Sequence, residues 1–322
     1  MKRIHYKKHI VVVILAVFWI IMFTLNSGFR TADNFASILR EASTTGIAAL
    51  GMTFIIIMSD FDLSIGSMLA LLGMVLASTV ETLGLIPSLI LVCICGALCG
   101  LINGVIISYC NVPAFITTLG TYYSFRALAY IYNDAKTIMV KNTALLEIGN
   151  GSVLGIPIPF LIMLILSVVA AVVLNRTVFG RNIRALGNSI KASNISGINT
   201  KLVKTLAFMA IGFCTAISSI IITGRQASAS PDVALNFHFD AITIVVLGGT
   251  KLSGGEGSIF NTLIASVLYA SVANSLSLYH VDAQWQRVCM GAILLLAFSF
   301  DFMQSGLKKA RDKSRRKAAQ SA

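Results

Sequence analysis

Long apolar runs separated by short polar segments recur along the whole 322-residue chain. Most of these runs approach the roughly 20 residues that a helix needs to cross membrane hydrocarbon. They lack the period-two alternation of barrel strands, and unpaired backbone groups are costly in lipid, so the pattern predicts helices. The ten predicted spans are His9–Leu25, Thr44–Met58, Ser64–Ser78, Ile86–Ser108, Pro113–Tyr132, Val153–Leu174, Leu202–Thr223, Ala241–Gly249, Ser258–Leu278 and Val288–Phe300.

The eighth run, Ala241–Gly249, is short and continues into the glycine-rich stretch LGGTKLSGGEGS. We expect a broken or re-entrant helix there, which is tolerated where protein or water covers the freed backbone groups. The predicted fold class is therefore all-α: a polytopic membrane helical bundle of about ten transmembrane helices, some of them short or broken.

Composition and charge support this prediction and add an orientation. Hydrophobic residues make up 56% of the chain, charged residues 12%, and the mean hydropathy is +0.84. Seventeen of the 25 Lys and Arg residues lie before the first span, between Arg176 and Lys204, or after Phe302. Because such residues favour the cytoplasmic side, these three segments are expected inside, and ten spans satisfy all three. No small-x-small cleavage site follows the first span, which is predicted to stay uncleaved.

Several function classes are disfavoured. The net charge of +12 does not indicate nucleic-acid binding, because the basic residues flank spans without aromatic interleaving. The six cysteines form no C-x-x-C pair and are interpreted as packing residues. No hydrolase, metalloprotease or P-loop motif is present, so we predict no catalytic residue, no metal ligand and no enzyme activity. LSGGEG at Leu252–Gly257 looks like an ABC-type ATPase signature, but without a P-loop it is interpreted as a turn.

The polar segment Arg176–Lys204 is the longest such interruption on the predicted cytoplasmic side. A short helix is expected within it, from a cap near Asn188 to a stop at Gly197. Two interpretations remain open on the residues alone. The segment is either a solvated basic loop or a docking helix whose small residues fit a groove on a partner, the candidates being Ala192, Ser193 and Ser196.

Four stretches, taken together, resemble the permease subunits of bacterial ABC importers for simple sugars, in the style of the ribose, xylose, arabinose and galactose permeases. The resemblance runs in order from about Gly46 to Phe302. The stretches are GMTFIIIMSDFDLSIGSMLALLG (Gly51–Gly73), NVPAFITTLGTYYSFRALAYIY (Asn111–Tyr132), FGRNIRALGNSIKASNISGIN (Phe179–Asn199) and FDAITIVVLGGTKLSGGEGSIFNTLIAS (Phe239–Ser266).

This resemblance implies an assembly. A single transmembrane permease domain would occupy residues 1–322, with a cytoplasmic coupling loop at 176–204 and a basic cytoplasmic tail at 303–322. The chain would lie in the bacterial inner membrane, in contact with lipid and with both termini cytoplasmic. It would pair with a second permease chain, identical or different, a cytoplasmic ABC ATPase and an extracellular sugar-binding protein. The chain itself would bind no cofactor, since ATP would sit on the ATPase.

The same resemblance assigns the coupling role to residues of the cytoplasmic loop. They are Phe179, Gly180, Arg181, Arg184, Gly187, Ala192, Ser193, Ser196 and Gly197.

Polar residues within or beside the predicted spans are candidates for the substrate pathway. A buried Asp costs roughly 2.5–3.5 kcal/mol on insertion scales, so such residues should face protein or water. Structural alternatives are satisfaction of Asp60 and Asp62 by the N-terminus of the third span, with Asp62 as its cap, and a cap role for Asp240. Asn103 would be an interhelical hydrogen-bonding residue, and Thr117 would bond to its own helix. The cap is favoured for Asp62. The candidates are Asp60, Asp62, Ser64, Asn103, Thr117 and Asp240.

Two further expectations concern packing. Arg126 is expected to snorkel to the headgroups at the outer end of the fifth span. Gly96, Gly100 and Gly104 lie on one helical face at G-x-x-x-G spacing, which favours close approach of another helix, a candidate being a second chain.

Rival functions are a self-sufficient secondary carrier or channel, which usually shows internal repeats, and a membrane scaffold that transports nothing.

Overall fold

The computed structural model describes residues 10–299. The first half of the chain contains helices α1 (Ile10–Leu25), α2 (Ala32–Ile57), α3 (Ile65–Leu83), α4 (Leu85–Tyr109), α5 (Ala114–Tyr132) and α6 (Thr143–Asn150). The second half contains α7 (Ile158–Arg176), α8 (Val178–Asn188), α9 (Ile190–Ile195), α10 (Thr200–Gln226), α11 (Phe237–Leu247) and α12 (Ile259–Leu278), followed by α13 at residues 283–299.

The remaining regular structure is slight. A 3-10 turn at Gly28–Arg30 precedes α2. Four two-residue strands are present in the described chain: β1 (Ile138–Met139), β2 (Ser152–Val153), β3 (Ile156–Pro157) and β4 (Ser228–Ala229). β1 pairs antiparallel with β4, and β2 pairs antiparallel with β3. The all-α prediction is therefore confirmed.

Each of the ten predicted runs coincides with a helix, although the last run ends at Phe300, outside the described residues. Within residues 10–299, five helices are long and apolar enough to cross a membrane, namely α3, α4, α7, α10 and α12. α1 and α11 are apolar but shorter. The chain is thus a multi-pass helical membrane protein by these helices, and the number ten stays a prediction.

α2 is the central helix of the bundle. It begins twelve residues before the predicted run, because the Thr31 side chain accepts a hydrogen bond from the Asn34 N–H and Asp33 lies in the first turn. From Ala42 to Ile57 every residue is buried. A helix that is apolar on all sides is typical of such a position. α7, α10, α11 and α12 all pack against it.

α4 and α10 form a close helix pair. A methyl group at Gly96 would overlap the Gly212 carbonyl oxygen, and one at Gly100 would overlap that of Phe208. The Thr205 hydroxyl also donates to the Gly104 carbonyl oxygen at 3.2 Å. The predicted close approach is therefore present, but the partner helix belongs to the same chain. The expectation of a chain–chain contact on this face is wrong, because α10 already covers it.

The opposite face of α4 carries exposed apolar side chains, among them Ile90, Ile94, Leu98 and Ile102. Apolar residues on the outside of a helix pair are expected where the solvent is lipid. The six cysteines, all within the described residues, are free thiols.

A non-helical segment, residues 227–236, leads from α10 into α11. It runs along one face of α5. The Arg126 guanidinium donates to the carbonyl oxygens of Pro231 and Val233, and the Tyr130 hydroxyl donates to Asp232. Arg126 is 7% exposed, so the expectation that it snorkels to headgroups is wrong. Backbone carbonyls left free by the break in helix accept hydrogen bonds from its Nη1 instead.

Candidate functional site

The break between α2 and α3, residues 58–64, contains two of the three acidic residues that the sequence singled out, Asp60 and Asp62. Ser59, just after α2, has a φ of 64°, so the chain turns sharply there. The Asp60 carboxylate pairs with the Lys204 ammonium of α10 at 2.6 Å. This ion pair joins the break to the fifth residue of α10.

Asp62 is fully buried and organises the start of α3. Its Oδ1 accepts hydrogen bonds from the Ser64 N–H at 2.8 Å and from the Ser64 hydroxyl at 2.6 Å. The Asn103 side-chain amide of α4 donates to the same hydroxyl oxygen at 2.9 Å. Burial raises the pKa of the Asp62 carboxyl above its ordinary value, against the opposing effect of these hydrogen bonds. A chain of hydrogen bonds therefore links the break to α4.

The prediction that Asp62 is the N-cap of α3 is wrong in position. The N-cap is Ser64, whose side chain makes no capping hydrogen bond. Asp62 instead holds the backbone two residues before the helix, in an Asx-type turn. Direct contact of Asp62 with a solute stays a prediction. Its Oδ2 and the Asn103 Oδ1 are buried without a hydrogen-bond partner among the described residues.

Asp62→Asn is expected to keep the protein folded, because the amide Oδ1 can still accept from the Ser64 N–H. Asp62→Leu removes that acceptor and leaves a buried N–H and hydroxyl unsatisfied, at a cost of about 1–3 kcal/mol. Folded yield after detergent extraction checks both variants. A normally folded Asp62→Asn protein that transports nothing would contradict a purely structural role.

The remaining pathway candidates lie apart from this hydrogen-bond chain. Asp240 is in the first turn of α11 and accepts from the Tyr269 hydroxyl of α12 at 2.6 Å, while the N-cap is Asn236. The expectation that Asp240 caps this helix is therefore wrong. Thr117 is buried in α5 but, unlike Thr118, its hydroxyl has no partner among the described residues.

One polar face of α5 was missed from the sequence. Tyr122, Arg126 and Tyr130 recur every four residues and contact residues 231–235 in succession, with the Tyr122 hydroxyl donating to the Leu235 carbonyl oxygen at 3.4 Å. The Nε and Nη2 of Arg126 have no hydrogen-bond partner among residues 10–299. The four-residue spacing was the signal that could have identified this face.

The predicted coupling loop, residues 176–204, contains two helices where the sequence predicted one. α9 has Ser189 as N-cap, whose hydroxyl accepts from the Ala192 N–H at 3.2 Å, and Gly197 follows it with a φ of 79°. This confirms the predicted short helix from about Asn188 to Gly197. α8 was missed, although Ile183 and Leu186 are buried on one side of it.

The nine coupling candidates divide between two faces. Gly180, Gly187 and Ser193 pack inward: a methyl group at Gly180 would overlap the Leu174 carbonyl oxygen, and the Ser193 hydroxyl donates to Ser189. Phe179 is half-buried, and the Arg184 guanidinium donates to Asn175 at 2.7 Å. The residues that face outward are Arg181, Ala192, Ser196 and Gly197.

Apolar side chains that the sequence did not single out also face outward on this loop. Ile195 at the end of α9 is 80% exposed, and Val178 and Ile190 are exposed as well. Lys191 and Arg181 lie on the same loop and are exposed. An apolar and basic surface on a segment tied to the bundle is typical of a protein-docking site.

Comparison with known proteins decides the family. The family model described as "Branched-chain amino acid transport system / permease component" matches residues 34–298. The chain belongs to this permease family. The resemblance to sugar permeases is also confirmed by relatives of nearly the same length, since each comparison below covers most of both chains.

The permease is 39% identical over 282 residues to the ribose import permease protein RbsC of Haemophilus influenzae, covering 86% of this chain and 87% of the relative. It is 37% identical to RbsC of Bacillus subtilis, covering 90% of this chain and 91% of the relative. It is 30% identical to the xylose transport system permease protein XylH of Escherichia coli, covering 89% of each chain. The comparison with solved structures gave no match.

Proposed function

We propose that this permease is the transmembrane subunit of an ATP-driven ABC importer that translocates a monosaccharide-class solute. The observation that carries the proposal is the coupling loop, which presents exposed apolar residues such as Ile195 on helices anchored to the bundle. In this proposal α9 docks on a cytoplasmic ABC ATPase, and an extracellular binding protein delivers the sugar. The names of the ribose and xylose relatives support a pentose as the first solute to test.

The division of labour follows from this assignment. Two permease chains, identical or different, surround the pathway in a bacterial inner membrane, with both termini cytoplasmic. ATP binds and is hydrolysed on the partner ATPase, and this chain contributes no catalytic group. Alternating access requires an element with two stable arrangements that responds to movement of α9 on the ATPase. The helices α8 and α9, held rigidly against the bundle, suit that role better than a flexible tether. The rival proposal, an ion-coupled carrier, needs no cytoplasmic partner.

Cysteine labelling tests the sidedness on which the proposal depends. In a background lacking the exposed native Cys110, a cysteine at Asn188 is expected to react only with reagent on the cytoplasmic side. A cysteine at Asn142, before α6, is expected to react only from outside. A cysteine at Ser314, which lies outside the described residues, is also expected to react only from the cytoplasmic side. Labelling of Asn188 from outside would overturn both the ten-span topology and the docking role of α9.

A further inference from the structure

Three segments that are distant in sequence meet at the cytoplasmic end of α2. They are the α2 terminus, the end of α8, and the glycine-rich loop Leu252–Gly257. The Gly255 N–H donates to the Ile57 carbonyl oxygen at 2.8 Å. The last carbonyls of a helix lack partners within the helix, so this bond satisfies one of them. A methyl group at Gly187 would overlap the same oxygen and lie 2.5 Å from the Gly255 nitrogen.

Only glycine fits the loop side of this contact. Gly254 and Gly255 have φ values of 80° and 78°, which side-chain-bearing residues rarely adopt. A methyl group at Gly254 would overlap the Ser59 hydroxyl, and one at Gly255 would overlap the Asn188 side chain. The LSGGEG stretch therefore packs backbone against backbone at the end of α2. This contact explains why residues 254 and 255 are glycines, and no nucleotide-binding role is needed to account for them.

A second attachment lies on the other side of α9. Lys204, the fifth residue of α10, pairs with Asp60 at 2.6 Å, and the two side chains are only 15% and 16% exposed. α9 is thus flanked by Gly187, which lies against the Ile57 backbone, and by Lys204, which pairs with Asp60. At Gly187 a displacement of α9 meets backbone directly, with no flexible side chain between to take it up. At Lys204 the displacement is resisted by a largely buried ion pair.

We propose that this junction, formed by Gly187, Gly254, Gly255 and the Asp60–Lys204 pair, transmits movement of α9 to the break between α2 and α3. These are positioning residues for transport, and the inference rests on the proposed function. The glycine loop leads directly into α12, so the same movement reaches α12 as well. None of the five residues needs to touch the solute or the ATPase.

The ion pair is tested by charge exchange in the purified permease–ATPase complex in nanodiscs. Asp60→Lys and Lys204→Asp are each expected to keep assembly and basal ATP hydrolysis. Stimulation of hydrolysis by sugar-loaded binding protein should fall on the order of tenfold, the usual size of a coupling between distant sites. The double exchange restores the pair and should recover most of the stimulation, which independent roles of the two residues would not allow. Asp60→Asn serves as the milder variant.

The backbone contact is tested by Gly187→Ala, with Gly120→Ala as the matched control. Gly120 in α5 has no atom within 4 Å of an added methyl group. The clash at Gly187 lies at the end of the short helix α8 and not along a packed pair of long helices, so Gly187→Ala should still fold and bind the ATPase. It should lose stimulation and uptake, and Gly120→Ala should lose neither. Full stimulation in assembled Gly187→Ala and Asp60→Asn complexes overturns the inference, as does loss of stimulation only in proportion to lost assembly. A wild-type chain that binds no ATPase contradicts the proposed function instead.

Discussion

Ile195→Glu is expected to release the ATPase from a permease that still folds and inserts. Ile195 is 80% exposed at the end of α9, so its replacement removes almost no contact within this chain. In the proposed complex the side chain fills an apolar groove, where a carboxylate without a partner is strongly disfavoured. Replacing a hot-spot residue of a protein interface costs about 2 kcal/mol or more of binding free energy. The affinity for the ATPase should therefore fall about 30-fold or further. Copurification of the ATPase in detergent measures the effect.

Leu154→Glu is the matched control for this result. Leu154 is 98% exposed in the turn between β2 and β3. In the proposed topology this turn is extracellular, on the side of the membrane opposite the coupling loop. The control should retain the ATPase. Ala192→Trp adds bulk at the neighbouring exposed position of α9 and should act like Ile195→Glu, because a close-packed groove cannot accept it without strain. Unchanged ATPase binding in both loop variants would mean that α9 is a solvated basic segment.

Gly100→Ala is expected to abolish most folded protein. Alanine is the better helix former by about 1 kcal/mol, so propensity alone predicts a gain. The added methyl group would overlap the Phe208 carbonyl oxygen of α10, which is backbone and cannot rotate away. The helices must separate, and the packing along their whole contact is lost. Fluorescence-detected size exclusion measures the folded fraction.

Gly120→Ala separates the clash from any general intolerance of alanine. Nothing lies within 4 Å of a methyl group at Gly120, so this variant should fold as well as the wild type. Equal folded yields for Gly100→Ala and Gly120→Ala would contradict the backbone contact between α4 and α10.

Local signals in the sequence predicted local structure well. The apolar runs predicted the helices because lipid allows few alternatives to a helix. The serine, asparagine and glycine residues around α9 predicted its existence because caps are short-range interactions. α8 was missed because its basic residues made an amphipathic helix resemble a loop. The start of α2 was missed because its first turns carry polar residues such as Asp33 and Arg40.

Partners distant in sequence could not be predicted in the same way. The spacing of Gly96, Gly100 and Gly104 indicated a close helix contact, but nothing in it identified α10 as the partner. Arg126 looked like a surface anchor because the carbonyls that bind it belong to residues 231 and 233, far along the chain. The turn in LSGGEG was recognised, whereas its contact with Gly187 and Ile57 depends on the assembled bundle.

ATP-driven uptake by a reconstituted complex tests the central claim most directly. The permease is combined in liposomes with its ATPase and its sugar-binding protein, ATP is enclosed on the cytoplasmic side, and accumulation of labelled ribose is measured. The account predicts uptake that requires ATP, the ATPase and the loaded binding protein, persists when ion gradients are collapsed, and is lost with Ile195→Glu. Sugar uptake by the permease alone, driven by an ion gradient and indifferent to ATP, would contradict it.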